Sequence, residues 1–218
     1  MIDSCDSVRT PSNVRDSDPR TQHQTLEQKI AYIDQFTLSA DVPDEVRIHF
    51  ETGRNLFVYA WHVYRFNMVA KQHILASLEM AARLRLASLT GDEPPRGLAK
   101  LLRAASTKGL IANERLSNRD ERALEMAWDR HRRTEMRRMN EECFDNCVVD
   151  YTQVRPTEEE LQFDWIGRFI TALPHLRNMH AHGTDNLRPN VGRSFDIVCE
   201  LINQLFGQLE SQESSVSD

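Results

Sequence analysis

"WIGRFITALPHLRNMHAHG", residues 165–183, decides how the rest of the chain is read. Trp165/Ile166, Phe169/Ile170, Leu173 and Leu176 recur at steps of three and four, the spacing that lines one face of an α-helix. Arg177 and His180 follow at nearly the same angle, and Gly183 offers the left-handed residue at which such a helix stops. The pattern predicts a helix with its apolar face in a bundle and its polar end at a loop. An arginine at the inner edge of a bundle is costly unless it is paired or opens onto water. A cation (Arg177), an amide (Asn178) and an imidazole (His182) are therefore expected together at one helix end.

Helical periodicity continues outward in both directions. Leu26, Ile30, Ile33 and Phe36 fall on one face of "TLEQKIAYIDQF", with Thr25 as N-cap and Glu27/Gln28 just inside. "DVPDEVRIHF" (41–50) opens a helix with proline at its entry and acids in its first turn. From there a helical stretch is expected to reach "TGDEPP" (90–95), with Gly53 as the place where it bends or breaks. Phe57, Trp61, Tyr64, Met68, Ile74/Leu75, Leu78 and Ala82 supply its buried stripe. A short helix follows in "RGLAKLLRAASTKGLI", capped by Gly109. Residues 117–147 read as a charged helical insertion, in which Leu124, Trp128 and Met139 are too sparse for burial all round. One helix from a Thr157 cap to Gly183 and another over "RPNVGRSFDIVCELINQLFGQL" complete the domain, the last burying Phe195, Val198, Ile202, Leu205 and Leu209. "CVVDYTQVRP", brief and ending in proline, reads as a loop rather than a strand. The expected fold is an all-α, up-and-down helical bundle over 24–210. Residues 1–23 and 211–218, poor in apolar side chains, are expected to be disordered tails.

Composition narrows the function classes. No apolar run approaches the ~20 residues of a membrane helix, and the first twenty residues lack the apolar core of a signal peptide. A cytoplasmic protein with no membrane partner is expected. The net charge of −6 argues against a protein that coats nucleic acid through overall charge. Charge is uneven, however: twelve Lys/Arg face six Asp/Glu between Arg96 and Arg138. Of 27 basic residues only four are lysine, and the guanidinium fork is the better phosphate clamp. Arg130, Arg132, Arg133, Arg137 and Arg138 are candidate nucleic-acid contacts on that basis, although a solvated helix face is the commoner origin of such runs. Cys143 and Cys147, four apart and without a CxxC knuckle, read as two thiols rather than a zinc site.

"LRNMHAHG" (176–183) resembles the R-x4-6-H signature of the HEPN superfamily, the higher eukaryotes and prokaryotes nucleotide-binding domains, in which a polar residue commonly follows the arginine. "AKQHILASLEMAARLRLA" and "GLAKLLRAASTKGLI" are similar to segments that precede the motif in many bacterial members, so the resemblance spans about 44–210. The charged helix 117–147 departs from it and leaves the subfamily open. The resemblance implies a bundle that dimerises with two motifs facing one cleft, and a metal-independent endoribonuclease that needs no cofactor. It further implies a toxin or phage-defence role, with RNA as substrate and a cognate antitoxin or defence-system protein as partner. Arg177 would bind phosphate, His182 would be catalytic and Asn178 would orient; His180, within the variable gap, is an accessory candidate at most.

The chemistry stands on its own terms. Metal-free RNA cleavage needs a base for the 2′-OH, an acid for the leaving 5′-oxygen and a cation for the phosphorane. Imidazole titrates near neutrality and can fill either proton role. The rival class is a HEPN-like module that binds nucleic acid or protein and cuts nothing. A metal enzyme on His175, His180 and His182 is disfavoured, because spacings of five and two lack the i, i+4 geometry of a helical zinc site. In the blandest alternative, His182 caps a helix and Arg177 pairs with an acid such as Asp185.

Overall fold

The structure, a computed structural model, describes residues 6–21, 23–142, 148–181 and 191–207, with backbone alone at 142 and 179–181. Among these the chain is all-helical and contains no strand. The helices are α1 (Leu26–Ile33), α2 (Asp44–Tyr59), α3 (Phe66–Thr90), α4 (Leu98–Thr107), α5 (Arg119–Glu142), α6 (Glu158–Leu161), α7 (Trp165–Ala181) and α8 (Val191–Phe206). The chain divides into two compact units, residues 1–112 with 169–218, and residues 113–168.

In the first unit α3 is the central helix, packed by α2, α4 and α8. Its Ile74, Leu75, Leu78 and Ala82 are fully buried, and Phe195 of α8 packs edge-on against Phe50 and Phe57 of α2. Each such large side chain contributes about 1.5–3 kcal/mol on leaving water. Thr25 caps α1 in a reciprocal box with Gln28. Gly91 (φ 70°) ends α3. Gly109 (φ 68°) follows α4 and lets the Leu110 amide bond back to the Ala105 carbonyl. These punctuation marks are where the sequence puts them.

Three expectations are corrected. The long helix breaks at residues 60–65, not at Gly53, which lies buried inside α2. A Cβ there would sit 2.5 Å from the Ile74 methyl, so glycine serves the close approach of α2 to α3. The break is held by residues 6–21, assigned on composition to a disordered tail. Asp18 is fully buried; its amide bonds the Trp61 carbonyl, its carboxylate takes the Tyr64 amide at 3.1 Å, and Arg20 clamps it through Nε at 2.9 Å. Asp6 then bridges Arg20 and Arg65 at 2.8 and 2.7 Å. Burial alone would raise the Asp18 pKa, but the Arg20 and Tyr64 hydrogen bonds outweigh it and hold the carboxyl below its usual range. Finally, α1 turns a different face inward: Lys29 is 5% exposed while Ile30 is 39% exposed.

The second unit contains α5, α6 and the start of α7. The expected single helix from Thr157 is two. Thr157 and Glu160 form a capping box on the one-turn α6, and the chain restarts at Asp164, whose carboxylate accepts the Gly167 amide at 2.9 Å. Asn113 supports the restart by accepting the Ile166 amide at 3.0 Å. The charged helix buries Ala123 and Ala127, while Trp128 is 40% exposed. Leu209 and the expected tail 211–218 lie outside the described residues.

His49 of α2 and His73 of α3 stack with ring centroids 4.4 Å apart and planes 2° from parallel. Burial, then the facing His49, lowers the His73 pKa from its ordinary 6.5. The unfolded imidazole takes up its proton near 6.5, whereas the folded one resists until lower pH. Stability is therefore lost as pH falls through 6.5 and stops falling once His73 is protonated in the fold. We expect the melting temperature to drop between pH 7.5 and 5.5, and His73→Phe to flatten that slope when the two proteins are compared by calorimetry.

Candidate functional site

Among the described side chains of α7, Ile166, Phe169 and Leu173 are buried, and Trp165, Ile170 and Leu176 of the same stripe are half-buried. Arg177 lies one turn past Leu173, near the C-terminal end, where basic side chains meet free helix carbonyls. Pro174 inside the helix supplies no N–H, so the last turns are held by one backbone bond fewer. Arg177 is neither sealed among aliphatics nor fully in solvent: its side chain is 43% exposed.

One Arg177 nitrogen stands 3.3 Å from Glu79 Oε2 on α3. Among the described residues the acid that pairs with Arg177 is Glu79, reached through the fold; Asp185 lies outside them. The other Glu79 oxygen takes Arg83, one turn on, at 3.3 Å. Glu79 itself is only 13% exposed and so bridges two arginines from beneath. Arg177, Glu79 and Arg83 line an open cleft of about 330 Å³ whose other wall carries Glu93, Pro94, Arg96 and Gly97. Three guanidinium groups against two carboxylates leave the cleft formally positive by one charge. Arg96 is 88% exposed and bonds Glu93 at 3.2 Å. Exposed ion pairs of this kind contribute only about 0–1 kcal/mol. A phosphate, like a carboxylate, accepts two parallel guanidinium hydrogen bonds and so competes for these arginines.

Asn178 is exposed beside Arg177 on α7, and His175 is exposed one turn before. His180 belongs to the last turn of α7, but its side chain, like the whole of His182, lies outside the described residues. Cys143 and Cys147 lie outside them too.

The arginines proposed on the charged helix divide. Arg130 is committed within its own unit: it holds Glu160 through Nε at 2.9 Å and the Arg155 carbonyl at 3.1 Å, and its hydrogen bond keeps the Glu160 carboxyl below the usual range. It braces the α6 cap, with its side chain still 48% exposed. Arg132 pairs with Asp129 at 2.6 Å and Arg138 with Glu135 at 3.5 Å. Arg133 and Arg137 are exposed with no carboxylate in ion-pair range among the described residues.

Glu79, Arg83 and Arg96 are absent from the sequence reading of the site. The i, i+4 pair Glu79/Arg83 was visible as a helix-surface pair, but nothing in the sequence tells that α7 delivers Arg177 onto it. No helix among the described residues is long and apolar enough to cross a membrane. The chain matches no family model, and comparison with curated proteins and with solved structures returns no significant match.

Proposed function

We propose that this chain is a metal-independent endoribonuclease of the HEPN type, acting on RNA through Arg177 and His182. The observation that carries the reading is the position of Arg177, half-exposed at the end of α7 on a cleft with Arg83 and Arg96, five residues before a histidine. The 2′-oxygen of the substrate attacks phosphorus and the P–O5′ bond breaks, leaving a 2′,3′-cyclic phosphate and a free 5′-hydroxyl. Arg177 leaves Glu79 to bind the phosphate and neutralises the charge that grows on the phosphorane. His182 takes the 2′-OH proton or returns one to the 5′-oxygen. One imidazole cannot readily do both in a single step, so a second copy of the chain supplies the other His182. Asn178 orients the phosphate from the exposed side of α7. In the cell such an activity suits a toxin or phage-defence effector held in check by a partner protein.

The Glu79 ion pair also favours a second reading, a module that holds RNA without cutting it. Incubation with total RNA in EDTA separates the two, read beside the mass of the protein in solution. Cleavage by a dimer supports the nuclease; intact RNA that co-migrates with the protein supports the binder.

A further inference from the structure

A second cavity, of about 410 Å³, opens elsewhere in the first unit and is lined by the N-terminal segment, α1, α2, α3 and the first turn of α8. That volume lies within the ~300–1,000 Å³ typical of small-molecule sites. Its lining contains Arg20, His23, Lys29 and Arg193 and no carboxylate. Lys29 is the informative member. It is only 5% exposed, and its Nζ stands 3.6 Å above the Phe57 ring. Among the described residues no carboxylate comes within ion-pair distance of it. Arg20, by contrast, is already balanced by Asp18 and Asp6.

A buried cation without a counter-charge is unfavourable, and α1 had an apolar alternative in Ile30, which it leaves 39% exposed. The cation–π contact with Phe57 offsets part of that cost, about 0.5–2 kcal/mol. A further feature suits an anion. A Cβ at Gly192 would lie 2.3 Å from the Tyr32 hydroxyl, so glycine lets that hydroxyl come against the first described turn of α8. Burial, then Asp196, raises the Tyr32 pKa, so the hydroxyl stays a donor. Tyr64, under the Arg20 guanidinium at 5.1 Å, and Phe57 give the cavity flat walls.

We propose that this cavity binds a small phosphomonoester carrying a compact ring or sugar, with Lys29 as the counter-charge to its phosphate. The site is separate from the Arg177 cleft and stands whether or not the chain cuts RNA. Lys29 supplies the charge that orients the ligand; Tyr32 donates to a further phosphate oxygen; the aromatic walls cover the ring. Calorimetric titration of the full chain at pH 7 with uridine 5′-monophosphate, ribose 5-phosphate, inorganic phosphate and uridine tests it. Both esters should bind, inorganic phosphate more weakly, and uridine not at all. Lys29→Met and Lys29→Gln should each weaken ester binding by about tenfold or more. Lys29→Met should also melt higher than wild type without ligand, because the buried ammonium, its pKa pushed down to about 8 by burial, carries its full penalty at pH 7. Unchanged ester affinity in both variants, uridine binding as tightly as its monophosphate, or no ester binding at millimolar concentration would each overturn the proposal. Inorganic phosphate as tight as the esters would overturn its organic half.

Discussion

Replacing Arg177 with alanine is expected to slow RNA cleavage by roughly 100–1,000-fold at saturating RNA, the range seen when one preorganised donor to a developing oxyanion is removed. Stability should change by no more than about 1 kcal/mol, because the pair with Glu79 is partly exposed. The two numbers together separate a chemical role from a structural one. Arg177→Lys should recover little, since an ammonium offers a point charge where the phosphate needs a planar fork. Glu79→Gln is the informative companion. It frees Arg177 and Arg83 from their shared carboxylate without emptying the cleft, so its effect on cleavage should stay within about tenfold, one hydrogen-bonded contact's worth. A Glu79→Gln protein as inactive as Arg177→Ala would make the bridging carboxylate, rather than the cation, the group that matters.

The largest effect on stability is expected at Asp18. Its carboxylate is fully buried, accepts the Tyr64 amide and clamps Arg20 through two contacts. Asp18→Ala removes one partner from a buried charge network, leaving Arg20 with only Asp6 and the 60–65 break with an unmet amide. A loss of about 3 kcal/mol follows, or roughly 6–12 °C in melting temperature for a chain of this size. The N-terminal segment should come loose before the helices do. Brief trypsin treatment should then cut at Arg20 in the variant and spare it in the wild type, with the products read by mass.

Asp18 also marks the limit of what the sequence alone could tell. The helices were legible because their signals are local: Thr25 with Gln28, Gly91 and Gly109, and the three-and-four spacing of α7 and α8. Residues 6–21 were not, because a segment of Ser, Asp, Arg and Pro has no apolar period to read. It is held instead by single polar contacts to residues some forty positions away. The break at 60–65 was missed for the same reason: the partner that stabilises it is remote. Asp164 could have been recognised, since an Asp three residues before Gly167 is an ordinary capping arrangement, but the continuous apolar spacing around it hid the restart.

The site divides along similar lines. Arg177 and Asn178 were visible as polar residues continuing an apolar stripe. Glu79, Arg83 and Arg96 were not, because only the fold brings these distant positions to one cleft with Arg177. Lys29 and Ile30 show the same limit at finer scale. Both fit the α1 stripe within one residue's rotation, and hydrophobicity favoured the isoleucine. The fold chose the lysine.

The most direct test of the nuclease account is single-turnover cleavage of an end-labelled RNA in EDTA, comparing wild type with His182→Ala and Arg177→Ala and identifying the new ends. The wild type should leave 2′,3′-cyclic phosphate and 5′-hydroxyl termini, and both variants should be slowed by at least about 100-fold. Termini of the opposite polarity, or a His182→Ala protein that cuts as fast as the wild type, would contradict it.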